Sequence, residues 1–173
     1  QLFAVSAAIV ALVHFLPQLA LLLVVVAFLG WLAHVSILAI LAILAGVLVV
    51  TLFALGLGLL FGAVNVRFRD AENIVELLLL LATWASPVLY FWTMVQVHVP
   101  DWLLRLYLLN PITQAVELFH YAIWYPITDA GPSLPLPPDL GINTLSTLLI
   151  SVATILIGQT VFRRLEGRFA QDL

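Results

Sequence analysis

The stretch LFAVSAAIVALVHFLPQLALLLVVVAFL, Leu2–Leu29, decides the class of fold, and ILAILAILAGVLVVTLFALGLGLLFGAV, Ile37–Val64, repeats its message. Each exceeds the roughly 20 apolar residues that carry a helix across a hydrocarbon core. Only His14, Pro17 and Gln18 interrupt the first, and Gly30, Trp31, His34 and Ser36 form a short interfacial break between the two. No Asp, Glu, Lys or Arg occurs before Arg67. A water-soluble fold needs a polar face on most of its helices, and this run supplies none. Over all 173 residues 64% are hydrophobic and 9% charged, against roughly 25% charged in a soluble domain, which also excludes intrinsic disorder. The expectation is an all-α, polytopic membrane protein in a single transmembrane domain.

Two further spans are expected, Asn73–Val97 with Ser86-Pro87 inside it, and Ile142–Phe162 ending at Arg163-Arg164. Between them Trp102–Tyr125 is split by Asn110-Pro111 into pieces that reach only roughly 13 and 21 Å, short of a ~30 Å core. The six basic residues are all Arg, and five of them (67, 69, 163, 164 and 168) fall into two clusters. The positive-inside rule places both clusters in the cytoplasm. Two crossings between the clusters allow this and three do not, so residues 102–125 are expected to enter and leave on the external side as a re-entrant helical hairpin. The alternative is a hairpin lying flat on the outer interface. The proline-rich linker Pro126–Gly141 is then external, residues 163–173 form a cytoplasmic tail, and four spans result. The net charge of −3 and absence of Lys give no footprint for nucleic acid, and without Cys there is no thiol or disulfide chemistry. The chain opens on Gln1 with no basic n-region, which argues against an intact signal peptide and for a chain that begins within a longer protein.

Helical spacing then sorts the polar residues. On the third span Glu76, Thr83, Ser86, Pro87, Tyr90 and Met94 fall within about 60° of Glu72, a stripe that lipid cannot solvate. It faces either a wet pathway or hydrogen bonds between helices. On the second hairpin helix Ile112, Ala115, Val116, Phe119, Ala122 and Ile123 share one side. Thr113, Gln114, Glu117, His120, Tyr121, Trp124 and Tyr125 share the other, with Leu118 the misfit. Asn110 has the character of an N-cap and Pro111 of a first-turn residue. A face of flat aromatics and hydrogen-bonding groups suits amphipathic ligands such as sugars, and equally a membrane interface. Gly58-xxx-Gly62, with Gly56 nearby, permits close helix approach. Thr144, Thr147, Ser151, Thr154 and Gly158 make a small, hydroxyl-rich seam on the last span. His14 and Gln18 read as a buried hydrogen-bonding pair, and Glu117 with His120 lacks the third ligand that a metal needs. No phosphate loop, zinc-protease or nucleophile-elbow motif is present, so no catalytic, cofactor or metal residue is assigned.

Four motifs carry a resemblance. Asn65-Val66-Arg67-Phe68-Arg69-Asp70, Ser86-Pro87-Val88-Leu89-Tyr90, Leu109-Asn110-Pro111 and Phe162-Arg163-Arg164-Leu165-Glu166-Gly167-Arg168-Phe169-Ala170 resemble the permease subunit of ABC-2-type polysaccharide exporters, which move lipid-linked O-antigen, teichoic acid or related glycans. The resemblance implies a six-span permease of the bacterial cytoplasmic membrane, working as a homodimer with two separate ATPase subunits that hold the ATP and Mg. It also implies an external hairpin before the last span. The chain would then start in the third family span and lack the main coupling helix. His14 stands where many relatives carry an acid, and Glu76 where they are neutral.

On that reading Thr83, Trp84, Ser86 and Tyr90 line a substrate pathway, although Trp84 lies about 120° from Glu72 on the wheel. Trp102, Tyr107, Glu117, His120, Tyr121, Trp124 and Tyr125 form an external gate, where rings offer apolar area to a sliding polymer. Arg67, Phe68, Arg69, Asp70 and Glu72 contact the ATPase subunit. The rival readings are a small-molecule or drug efflux permease, a proton-coupled secondary transporter working through His14, Glu76 or Glu117, and a membrane scaffold without transport.

Overall fold

A computed structural model describes residues 2–65, 71–128 and 135–169 of the chain, and every described element is helical or a turn. Helix α1 is Leu2–Phe28 and α2 is Ile37–Asn65, within one residue of the expected spans. Gly30 joins them in the left-handed region (φ 92°) ahead of a single 3-10 turn, Trp31–Ala33. A side chain is strained at that φ, and glycine makes the reversal possible. Helix α1 meets the rest of the chain near its outer end, at Leu19, Leu23 and Val26. His14 and Gln18 are exposed, and the His14 ring bonds to Val10 O of its own helix at 2.8 Å. The expected buried pair does not form, because no other described helix covers that face.

The third span is not one helix. Helix α3 is Ala71–Trp84, followed by turns over 85–90 and a short α4, Trp92–Gln96. Pro87 has no N–H for the Thr83 carbonyl and disfavours a helical Ser86. The wheel drawn through Tyr90 and Met94 therefore stops applying beyond Trp84. Helix α5 (Asp101–Leu108) and α6 (Pro111–Phe119) form the hairpin. Asn110 caps α6 by accepting from Ile112 N–H at 3.1 Å, with Pro111 in the first turn. A π-turn, His120–Trp124, and one further turn, α7 (Tyr125–Ile127), extend it. Helix α8 runs Leu140–Phe169, so the last span continues as helix into the segment expected to be a tail.

Helices α2 and α8 form the most extensive pairing among the described residues. Their register is parallel. Ser151 Oγ donates to Val49 O at 3.3 Å, a Cβ on Gly56 would meet Ile155 N at 2.7 Å, and one on Gly158 would meet Gly56 O at 2.6 Å. The hydroxyl seam of α8 thus lies against α2, and Gly56 rather than Gly58 or Gly62 makes the close approach; the latter two face open space. Parallel packing brings the Asn65 end of α2 and the Arg163-Arg164 end of α8 to the same side.

The hairpin dips inward beside α2. Ala122 and Ile123 cluster with Trp31, Ala39 and Ala42 near the start of α2, while a Cβ on Gly46 would touch Phe119 and Ala115. Asn110 and Ile112, at the tip, share a cavity with Val50 and Phe53. That tip lies about 20 Å along α2 from Ile37, at 1.5 Å per residue. The arm α6 therefore runs antiparallel to α2.

Helices α1, α2 and α8 are long and apolar enough to cross a membrane; α3 is shorter. Gly56→Ala should lower the thermal unfolding midpoint of the purified protein, by an overpacking cost of about 1–3 kcal/mol. Gly62→Ala should leave the midpoint unchanged in the same fluorescence-monitored melt.

Candidate functional site

The polar face of α6 is turned into protein. Thr113, Gln114 and Glu117 are at most 1% exposed, whereas Ala115, Leu118, Ala122 and Ile123 pack toward α1 and α2. Leu118, the misfit of the wheel, belongs to that apolar cluster.

Gln114 is the strut of the site. Its Nε2 donates to Leu140 O at 3.0 Å and to Thr144 Oγ1 at 2.8 Å, which ties the hairpin to the first turns of α8. The carbonyl at Leu140 fixes which end of the amide is nitrogen. Its Oε1 is left without a partner, as are both carboxylate oxygens of Glu117, Thr113 Oγ1 and Tyr107 Oη. Of these, the amide oxygen of Gln114 can only accept, whereas the hydroxyls of Thr113 and Tyr107 can do either. A buried acceptor with no donor costs about 1–3 kcal/mol, and more when charged. The described residues thus leave a buried polar cluster around Glu117 whose hydrogen-bonding groups they do not satisfy.

Aromatic and titratable groups surround it. His120 Nδ1 lies 3.6 Å from Glu117 Oε1, an ion-pair distance too long for a hydrogen bond, and its side chain is 22% exposed. The His120 ring sits 6.2 Å from Phe91, centroid to centroid. Burial, then the neighbouring Tyr90 and Glu117, push the Tyr107 phenol above its usual range. Burial and Glu117 do the same to Tyr125. Tyr125 Oη and Trp92 Nε1 both donate to Pro135 O, at 3.5 and 2.9 Å, which ties the end of the proline-rich linker to α4 and α7.

Of the expected gate residues, Tyr107, Glu117, His120 and Tyr125 come together, and Tyr90 from the expected pathway joins them. Trp102 and Trp124 stand outward, 64% and 45% exposed. Tyr121 packs on the apolar cluster beside Leu118 and Ala122 instead of the polar face. The pathway residues do not form one stripe. Thr83 is exposed and bonds to Leu79 O, Trp84 is exposed, and Ser86 is fully buried with its hydroxyl on Ala82 O at 2.8 Å. Tyr90 folds back so that its hydroxyl donates to Trp84 O at 3.0 Å. Arg67, Phe68, Arg69 and Asp70 lie outside the described residues; Glu72 is in the first turn of α3. Glu76 is exposed on α3, so His14, Glu76 and Glu117 form no continuous buried path. No group of acidic, His or Cys residues among the described ones has the make-up of a metal site.

Two cavities flank the hairpin. One of about 570 Å³ opens at its tip between α2 and α3, with Phe53, Leu57, Leu78 and Ala82 on its walls. The other, about 480 Å³, lies between α5 and the start of α8 and carries Asp101, Arg105, Asp139 and Asn143. Thr113 and Gln114 were legible as part of a polar face, but their burial and the tie to Thr144 were not.

A bundle of apolar helices around a buried polar hairpin is the construction of a membrane permease subunit. The sequence matches the family model described as ABC-2 type transporter over residues 2–124, and the chain belongs to that family. It is 30% identical over 129 residues to the O-antigen export system permease protein RfbA of Myxococcus xanthus, an alignment covering 73% of this chain and 44% of that protein. The chain thus spans less than half the length of the curated relative it matches. No solved structure matches it.

Gln114→Leu, which removes the strut to α8, should destabilise the purified protein by about 1 kcal/mol. Glu117→Gln keeps the shape of a buried side chain whose carboxyl has no partner among the described residues and should melt no lower than the parent, measured in the same thermal assay.

Proposed function

We propose that this chain is the transmembrane subunit of an ATP-driven exporter that moves a lipid-linked polysaccharide outward across the bacterial cytoplasmic membrane. The carrying observation is the acceptor-rich, aromatic-flanked cluster around Glu117, sunk in a hairpin whose tip reaches about 20 Å along α2. Glycan hydroxyls are donors and pyranose faces stack on rings, so this chemistry fits a saccharide better than an apolar drug. The similarity to an O-antigen export permease points the same way.

In this reading the chain crosses four times. Because α2 and α8 run parallel, the segment between them must return to the side on which α2 began. Helix α3 makes the inner part of that crossing and residues 85–96 the outer part, leaving the hairpin external and re-entrant. Two copies of the permease form the path, with Thr83, Trp84 and Tyr90 toward it and the Glu117 cluster as the external gate. ATP and Mg belong to separate ATPase subunits, whose closure pushes on residues Arg67–Glu72. The outward-standing Trp102 and Trp124 contact polymer as it leaves.

The test is glycan display at the cell surface by the full-length permease with its ATPase subunit. Glu117→Gln should reduce display at least tenfold while leaving permease abundance and complex assembly unchanged. An ATPase-inactive partner should abolish display. Normal display with Glu117→Gln, or display that survives an inactive ATPase, would overturn the reading.

A further inference from the structure

Pro126 leaves a carbonyl without its donor. In an α-helix Ala122 O accepts from the N–H of residue 126, and proline has none. The helix widens there into the π-turn His120–Trp124, with Tyr125 N–H bonding to His120 O. Such turns are uncommon, and they recur at functional sites. Ala122 is 0% exposed, so water does not reach the orphaned carbonyl. The donor comes from 91 residues away: Trp31 Nε1–H bonds to Ala122 O at 2.7 Å. Trp31 is itself 8% exposed, and Gly30, in its left-handed conformation, turns the chain so that Trp31 begins the 3-10 turn. Its ring lies in one cluster with Val26, Ala39, Ala42, Leu118 and Ile123.

We propose that Trp31 is a positioning residue for the external gate, a latch by which the turn between α1 and α2 holds the return arm of the hairpin in its π register. The latch rests on reading the hairpin as a gate. Its chemistry is a directed bond to one backbone oxygen, over and above ring packing. Without that bond the Ala122 carbonyl has no donor in its own helix and the arm must turn to find one; a one-residue slip of register would rotate residues beyond the turn by about 100° and shift them by about 1.5 Å. Tyr125, which sits immediately after the π-turn and beside Glu117, would leave its place in the site. Trp31 thus couples the first external turn to the polar cluster although it touches none of the cluster's acceptors.

The chain has no cysteine, so a single engineered thiol is the one reporter within it once any cysteines elsewhere in the complex are replaced by serine. Ile123→Cys, at a position 5% exposed in the latched arm, is introduced into the purified full-length permease complex, and its rate of alkylation by a maleimide is measured. Trp31→Phe keeps a ring and removes the donor; it should speed alkylation about tenfold, the size of effect expected when a buried carbonyl loses its partner. Adding Pro126→Ala supplies the missing N–H to Ala122 and should restore slow alkylation. Rescue at residue 126 separates a bond to the carbonyl from simple packing of the Trp31 ring. Val49→Cys, in the fully buried α2–α8 seam, serves as the control for global unfolding. An unchanged rate in Trp31→Phe, fast alkylation that persists with Pro126→Ala, or unfolding at Val49→Cys that Pro126→Ala does not repair would each overturn the latch. The readout involves no export, so a failure of the gate reading in the display assay is scored separately.

Discussion

A carbonyl released from its helix inside a bilayer has no water to bond, and the paths of α3 and of the hairpin follow from how that is solved. Prolines 87 and 126 each remove a donor from an otherwise helical run. After α3, Ser86 N–H takes Thr83 O, the carbonyl Pro87 leaves bare, while Ser86 Oγ takes Ala82 O and Tyr90 Oη takes Trp84 O, so the chain leaves the helix without stranding those carbonyls. After α6 the helix widens and Trp31 supplies the donor to Ala122 O. Hydroxyl and indole groups thus do inside the fold what water does at the end of an exposed helix. The break after α3 and the π-turn after α6 are thus both stabilised by side-chain donors.

The same accounting sets the functional cluster apart. Elsewhere in the hairpin and along α8 the buried hydroxyls and amides find carbonyls, as Gln114 does at Leu140 and Ser151 at Val49. Around Glu117 they do not. The unpartnered atoms lie on α5 and α6, braced on one side by α2 through Gly46 and on the other by α8 through Gln114. Two helices thus frame a set of buried polar atoms that the described residues leave unpartnered.

Much of the framework was legible because it is local. The ends of α1 and α2 follow from where apolar runs meet Gly30 and Asn65, and the Asn110-Pro111 cap from two adjacent residue types. The hydroxyl seam of α8 was legible as an interface, since small residues at spacings of three and four share a face. Its mate was not. Gly58 and Gly62 satisfy the sequence pattern as well as Gly56 does, yet only Gly56 meets the α8 backbone. The rotation of α2 about its own axis, which decides between them, is fixed by the sum of its contacts.

The sequence by itself determined that this is an all-helical membrane protein, where α1 and α2 begin and end, and which side chains carry polarity. These depend on hydropathy over a window and on 100° per residue within an unbroken helix. Only the tertiary structure decided that α2 and α8 run parallel, that Tyr90, Tyr107 and Tyr125 gather at Glu117, and that Trp31 reaches Ala122. The wheel loses its phase at each break, at Pro87 and again at the π-turn. Contacts between residues 91 or 102 positions apart depend on how separate helices pack, and no local spacing encodes that.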